Sequence, residues 1–307
     1  MLLVVPYVAA ALFVVQSLCL KQFKKVGEHQ GEPLLLHASY MLMIAVGFMT
    51  WTMLTAWPFT VSLSTFWIAI VYGADFALTM TVYSLAIRTG PLSTTSFCFS
   101  ASMLLPIAAS ALFWQESFGF MKWLGVGMFM VSFYFILVYG KKQKTKRITR
   151  QWYGYAGLSF LLNGNLSVLS KLQQTMTERD ETSVFMTIAF LAGCLFCVIG
   201  SVISSRIGRK NKLETNEPGA KTVLQNLATF VKYWPSIVGL ALTTGIGNWI
   251  VVWLSGKLPG SYLFPTVNGG IIIGLVVVSR FLYKEYLSSR GWVGIIVGIA
   301  AMIAVSV

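Results

Sequence analysis

Ten stretches of mostly apolar residues fill this chain from end to end, at 2–20, 34–56, 64–87, 91–113, 118–139, 152–172, 183–205, 234–256, 260–283 and 290–306. A helix needs about 20 such residues to cross the hydrocarbon core of a bilayer. Backbone in lipid must also pair its amides within the segment, so runs of this kind fold as helices. Composition points the same way, with 56% hydrophobic residues, 11% charged residues and a mean hydropathy of +0.72. A soluble domain carries about 25% charged side chains, and this chain lacks the polar surface to coat a globule in water. The expected fold is an all-α membrane protein of ten transmembrane helices.

Turn chemistry and charge order these helices. Trp57-Pro58, Gly90-Pro91 and Pro259-Gly260 mark tight connections where backbone leaves a helix, so neighbouring spans run antiparallel. The two long polar connections, 140–151 and 206–233, are both basic. Of the 23 Lys and Arg residues, all but Lys122, Lys171, Arg179 and Lys257 fall on odd-numbered connections. The connection after the sixth span is acidic, with Glu178, Asp180 and Glu181. By the positive-inside rule the odd connections are cytoplasmic, and both termini are expected outside the cytoplasm. The formal charge of +13 then belongs to an anionic membrane face, and no nucleic-acid partner is expected. Short termini and compact loops suit a bacterial inner membrane. The opening Met-Leu-Leu-Val-Val-Pro-Tyr lacks a basic leader region, so the first stretch reads as a retained helix.

An internal repeat divides the chain. A shift of 169 residues lays Arg88 on Lys257, Trp114 on Tyr283, Glu116 on Glu285, Trp123 on Trp292 and Gly125 on Gly294. A shift of 150 lays Ser17 on Ser167 and Lys21 on Lys171. The expected organisation is a first five-helix repeat at 1–140, a basic cytoplasmic linker at 141–151, and a second repeat at 152–307 with a cytoplasmic connection at 206–233. Because five spans is an odd number, the repeats insert with opposite orientation, an architecture that recurs in secondary transporters.

Two segments carry a family resemblance. Leu112-Phe113-Trp114-Gln115-Glu116 with Gly125 and Gly127, and Phe281-Leu282-Tyr283-Lys284-Glu285 with Gly291, Gly294 and Gly298, each place a short acidic turn before a glycine-bearing helix. In this the chain resembles the drug/metabolite transporter superfamily, in particular its ten-helix EamA-like members. The resemblance implies a carrier of five plus five helices, and it leaves the substrate open among amino acids, sugars, nucleotide sugars and amphipathic drugs.

Polar residues inside the apolar stretches mark the candidate site. Asp75 stands near the centre of the third span, where an ionised carboxylate costs about 2.5–3.5 kcal/mol on insertion scales unless it is protonated, paired or hydrated. Tyr72, Asp75, Thr79 and Tyr83 recur at helical spacing as one polar stripe. It reads either as the wall of a cavity with a coupling carboxylate or as a hydrogen-bonded seam. In the sixth span Ser159, Asn163, Ser167 and Ser170 share a face, with Lys171 placed at the interface where its stem can snorkel. The fourth span supplies Ser93, Ser96 and Ser100, the first Gln16 and Ser17, the eighth Thr244, Asn248 and Trp249 with the deeper Trp253, and the ninth Tyr262 and Asn268. Pro265, followed by Gly269 and Gly270, is expected to kink the ninth helix or open its backbone to a ligand. Spans two, five, seven and ten are nearly pure scaffold, and the remaining tryptophans read as interface anchors.

Other chemistry finds little support. Cys19, Cys98, Cys194 and Cys197 all lie in apolar runs, and His29 and His37 fall near an interface. Glu116 and Glu285 belong to opposite membrane faces in the inverted scheme, and each is expected to cap the following helix or to pair with Lys122, Lys284 or Arg290. No nucleophile elbow, metal-ligand spacing or phosphate-binding loop is present, so neither an enzyme nor a cofactor is expected. The function expected is a secondary transporter that moves a small organic solute by alternating access, with Asp75 as a coupling group. Its partners are that solute and membrane lipids, and it works as a monomer. A lipid-handling protein and a non-transporting channel or scaffold are the competing readings.

Overall fold

The structure, a computed structural model, describes residues 2–23, 32–55, 60–89, 92–116, 119–139, 150–177, 179–213, 223–283 and 288–306. Among these the chain is helical without a strand. A 3-10 turn at Leu2–Val4 leads into α1 (Val5–Phe23), α2 (Glu32–Thr55), α3 (Leu63–Thr89), α4 (Leu92–Ala101), α5 (Leu104–Phe113) and α6 (Phe120–Tyr139). The remaining helices are α7 (Arg150–Met176), α8 (Thr182–Leu213), α9 (Val223–Ser255), α10 (Gly260–Tyr283) and α11 (Ser289–Ser306). Each apolar stretch falls on helix, but the fourth is split into α4 and α5. The connection expected at 206–233 is shorter than its polarity implied, since α8 runs on to Leu213 and α9 starts at Val223. Lys and Arg are good helix formers, so a helix need not end where hydropathy does.

Among the described residues, five segments are long and apolar enough to cross a membrane: Leu2–Cys19, Leu34–Thr55, Leu63–Ala86, Thr182–Ser204 and Trp234–Ser255. Cys98–Phe113, Phe120–Phe135 and Ser289–Val305 are apolar but shorter. Leu54, Leu63, Leu112, Phe113 and Phe120 are each at least 74% exposed, a display that hydrocarbon tolerates and water does not. Of the tryptophans read as interface anchors, Trp51, Trp67, Trp123, Trp234 and Trp292 are exposed, whereas Trp152 is buried.

Contacts divide the chain into two compact units, and each draws on both halves of the sequence. One comprises Met1–Val14, Leu78–Met176 and Gly247–Val307, and the other Val15–Ala77 and Thr177–Ile246. The larger has a core of Met103, Ile107, Phe129, Phe133, Leu263 and Phe264 with their neighbours. In it α6 lies along α11. Gly125 leaves no room for a side chain against Ala301 and Val305, and Ser132 Oγ donates to the Gly294 carbonyl at 2.6 Å. Gly269 receives the Phe129 ring and Gly270 the Ala10 methyl. Helix α10 is continuous through Pro265, so these glycines serve close packing and the expected opening of the ninth helix is not seen.

In the second unit α2 lies along α8. The first half of α3 meets α8 backbone to backbone, where a Cβ on Gly73 would collide with the Ala189 carbonyl and one on Gly193 would press on the Gly73 carbonyl at 3.0 Å. Tyr72 packs edge-on against Phe185, and Phe76 against Phe190. The start of α3 is held by Glu181, which accepts from Ser62 N at 3.1 Å and from Ser62 Oγ at 2.8 Å. His37, expected at an interface, is buried edge-on to Tyr40, and its Nδ1 has no hydrogen-bond partner. His29 lies outside the described residues.

Candidate functional site

The site begins with a missing amide hydrogen. Pro106 has no N–H, and its ring crowds the carbonyl four residues back, at Ser102. The helix entering as α4 ends at Ala101, just before that carbonyl. Ser102 N and Met103 N bond instead to Phe99 O and Ser100 O, each at 3.3 Å, and Leu105 N reaches Ser102 O at 3.0 Å. This is the tightened i to i+3 pattern of a 3-10 turn. Helix α5 then starts at Leu104, and Met103 before it gives no side-chain cap.

Asn163 on α7 bridges the interruption. Its Nδ2 donates to Phe99 O at 3.1 Å and to Ser102 Oγ at 2.6 Å. Since a carbonyl can only accept, the Phe99 contact fixes which end of the amide faces α4. Both Nδ2 hydrogens are engaged, and Oδ1 is left as an oriented acceptor on a half-buried residue. The Phe99 ring packs on Tyr83, with centroids 4.3 Å apart. About two turns before the interruption, Trp152 Nε1 donates to Thr95 Oγ1 at 2.8 Å.

These contacts define a register. Ser102 with Asn163, Ser110 with Lys171 and Trp114 with Thr175 are all 61 residues apart, so α5 and α7 run parallel. On α7 the residues concerned recur every fourth position, on one face. Ser167 and Pro106 share the same offset, which sets Ser167 level with the proline. Thr95 and Trp152 are 57 apart, so the register changes by four residues, about one helical turn, across the interruption.

The far end of this seam is ionic. Lys171 pairs with Glu116, donates to Ser110 Oγ at 3.2 Å and lies 5.2 Å from the centre of the Trp114 ring. Glu116 also accepts from Gly260 N at 3.1 Å and from Ser261 N at 3.4 Å, capping α10. Gln115, in the left-handed region at φ 50°, turns the chain so that Glu116 reaches them. Two expectations are thereby corrected. Lys171 is buried where snorkelling was expected, because a carboxylate meets it inside. Glu116 caps α10 and not the helix that follows it, and its cation is Lys171. Glu285 lies outside the described residues.

The other expected residues are distributed as follows. Tyr72 and Asp75 are buried on the first half of α3 and Thr79 on its second half, while Tyr83 is half-buried. Gln16 is buried and Ser17 half-buried on α1. Ser100 is buried beside the interruption, and the side chains of Ser93 and Ser96 lie outside the described residues. Ser159 and Ser170 donate to carbonyls of their own helix, Ala156 and Leu166. Thr244 is buried and Asn248 half-buried on α9. Trp249 stacks on Trp253 with planes 9° apart, and Lys257 caps that stack 3.6 Å above the Trp253 ring. Tyr262 donates to Leu3 O at 2.8 Å, and Asn268 to Phe264 O at 2.9 Å.

Reading the sequence therefore missed Ser102, Pro106, Glu116 and Lys171 as members of one seam. The spacing of Pro106 four residues after Ser102 was the available signal. Among the described residues no group of three or more His, Cys, Asp or Glu side chains is placed to hold a metal, and all four cysteines are free. A separate apolar depression of about 530 Å³ near Phe120, Trp123 and Val131 has only the Trp123 indole as a polar side-chain group.

No family model matches the chain, and no curated protein does. Solved structures do: one protein crystal structure superposes with a TM-score of 0.74 over 99% of this chain and 95% of its own, at 14% identity. That likeness is one of fold.

Proposed function

We propose that this protein is a secondary carrier that moves a small organic solute across a membrane by alternating access, with the solute's polar group engaging Asn163 at the interruption between α4 and α5. The observation that carries this reading is the interruption itself. Non-helical backbone at membrane depth is tolerated only where protein buries it or where it lines a cavity, and carriers build their sites from such discontinuous helices. Asn163 Oδ1, fixed by its two donated bonds, offers a preset acceptor to a hydroxyl, amide or ammonium group.

In this reading the ten apolar stretches are ten spans, arranged as two inverted halves of the drug/metabolite transporter kind. The basic connections face the cytoplasm of a bacterial inner membrane, and a single chain suffices for transport. Asp75, buried in an apolar helix, is the candidate for coupling to a proton or cation.

The test is thermal unfolding of the purified protein against amino acids, sugars, nucleotide sugars, phosphorylated metabolites and lipophilic cations. A ligand at a hundred times its dissociation constant stabilises the fold by about 2.7 kcal/mol. A selective stabiliser whose effect disappears in Asn163→Ala, and which reconstituted vesicles accumulate, supports the reading. A stabiliser that vesicles do not move, or one indifferent to Asn163, argues for a lipid-handling or scaffold role.

A further inference from the structure

Glu116 is held as a bound ligand would be. Lys171 meets its Oε1, the Gly260 amide donates to Oε1 at 3.1 Å, and the Ser261 amide approaches Oε2 at 3.4 Å. Lys171 is itself fixed by Ser110 Oγ at 3.2 Å and by the face of Trp114. The receiving groups belong to α5, α7 and the first turn of α10, whereas Glu116 comes from the irregular turn after α5. Exposure is unequal: the Lys171 side chain is 5% exposed and that of Glu116 17%, so the cation is sealed in and the carboxylate lies on the open side. Ser261 is fully buried, and its Oγ has no hydrogen-bond partner, leaving one more donor beside the amide that addresses Glu116.

We infer that Lys171, Ser110 and the first amides of α10 form a carboxylate-recognition site that Glu116 fills in this state, and that the carboxylate of a small organic acid takes its place when the turn after α5 swings out. The exchange conserves charge. Removing Glu116 alone strands a buried ammonium, but a second carboxylate keeps Lys171 paired while Glu116 moves into water. The helix N-terminus and the ammonium select an anion. The two amides address different oxygens, a spacing that a carboxylate offers and a halide ion does not. The claim concerns binding and stands apart from the transport reading.

The experiment uses the full-length protein in detergent, with sodium acetate as the probe and sodium chloride as the ionic-strength control. In Glu116→Ala, acetate and not chloride is expected to raise the unfolding temperature saturably, and Lys171→Met in the same background abolishes the response. Should Glu116→Ala fail to fold, Glu116→Gln keeps the shape and the Gly260 bond without the charge. There acetate is expected to half-saturate at a concentration about tenfold or more below that needed with the wild type, whose tethered carboxylate competes at high effective concentration. Equal effects of acetate and chloride on a folded variant overturn the proposal, as does an acetate effect that survives the loss of Lys171. Vesicle transport is a separate readout, so a failed carrier reading leaves this result interpretable.

Discussion

Replacing Asn163 by Ala and by Asp distinguishes an oriented amide from a merely polar one. The wild-type Nδ2 gives one hydrogen to Phe99 O at 3.1 Å and one to Ser102 Oγ at 2.6 Å. A neutral hydrogen bond contributes about 0.5–1.5 kcal/mol net, and side-chain bonds between membrane helices average about 0.6. Losing both in Asn163→Ala is expected to cost about 1–2 kcal/mol. It does not leave the Phe99 carbonyl bare, because Ser102 N still donates to it. Asn163→Asp keeps the shape and inverts the chemistry, setting an acceptor against a carbonyl that can only accept. Ser102 can turn its hydroxyl to donate, but the Phe99 contact becomes repulsive, and an unpaired carboxylate in this setting costs a further few kcal/mol. The aspartate variant is therefore expected to be the less stable of the two by about 1–3 kcal/mol. Equilibrium unfolding in mixed detergent micelles, followed by circular dichroism, measures the order. An aspartate variant as stable as wild type would falsify the assigned orientation of the amide, and with it the preset acceptor at Oδ1.

Lys171→Met strands Glu116 and is expected to cost about 3 kcal/mol, whereas the double variant Lys171→Met, Glu116→Gln costs less than the two single changes added together; strict additivity in the same unfolding assay would show that the pair is not coupled. Gly73→Ala forces a methyl into the Ala189 carbonyl and is expected to lose about 3 kcal/mol or to misfold, while Gly127→Ala meets nothing within 4 Å and stays within about 0.5 kcal/mol of wild type. If Asp75 couples transport to protons, Asp75→Asn abolishes accumulation driven by a pH gradient without loss of fold, and unchanged accumulation in vesicles refutes the role. A cysteine replacing Lys144 is expected to react only with reagents applied from the cytoplasmic side, and labelling from outside reverses the proposed orientation.

The helical fold was legible before any coordinates, because span-length apolar runs leave the backbone one economical way to satisfy its amides. The interruption of the fourth span was less so. Pro106 and Pro265 are each a single proline in an apolar run, yet the helix is interrupted just before the first and unbroken through the second. The neighbours differ too: Asn163 donates to Phe99 O and Ser102 Oγ at the interruption before Pro106, while Phe129 and Ala10 pack tightly against the glycines that follow Pro265.

Lys171 shows the same limit from the other side. By position it ended a span, and a lysine there is ordinarily drawn to water by its charge. What holds it inside is a carboxylate 55 residues earlier in the chain, presented by a left-handed Gln115 and steadied by amides of α10. The sequence by itself determined which segments are helical and apolar, because those properties depend on the composition of each window alone. Which polar groups meet, and whether a buried charge finds its partner, was decided only by the tertiary structure, because both depend on the register between helices far apart in the chain.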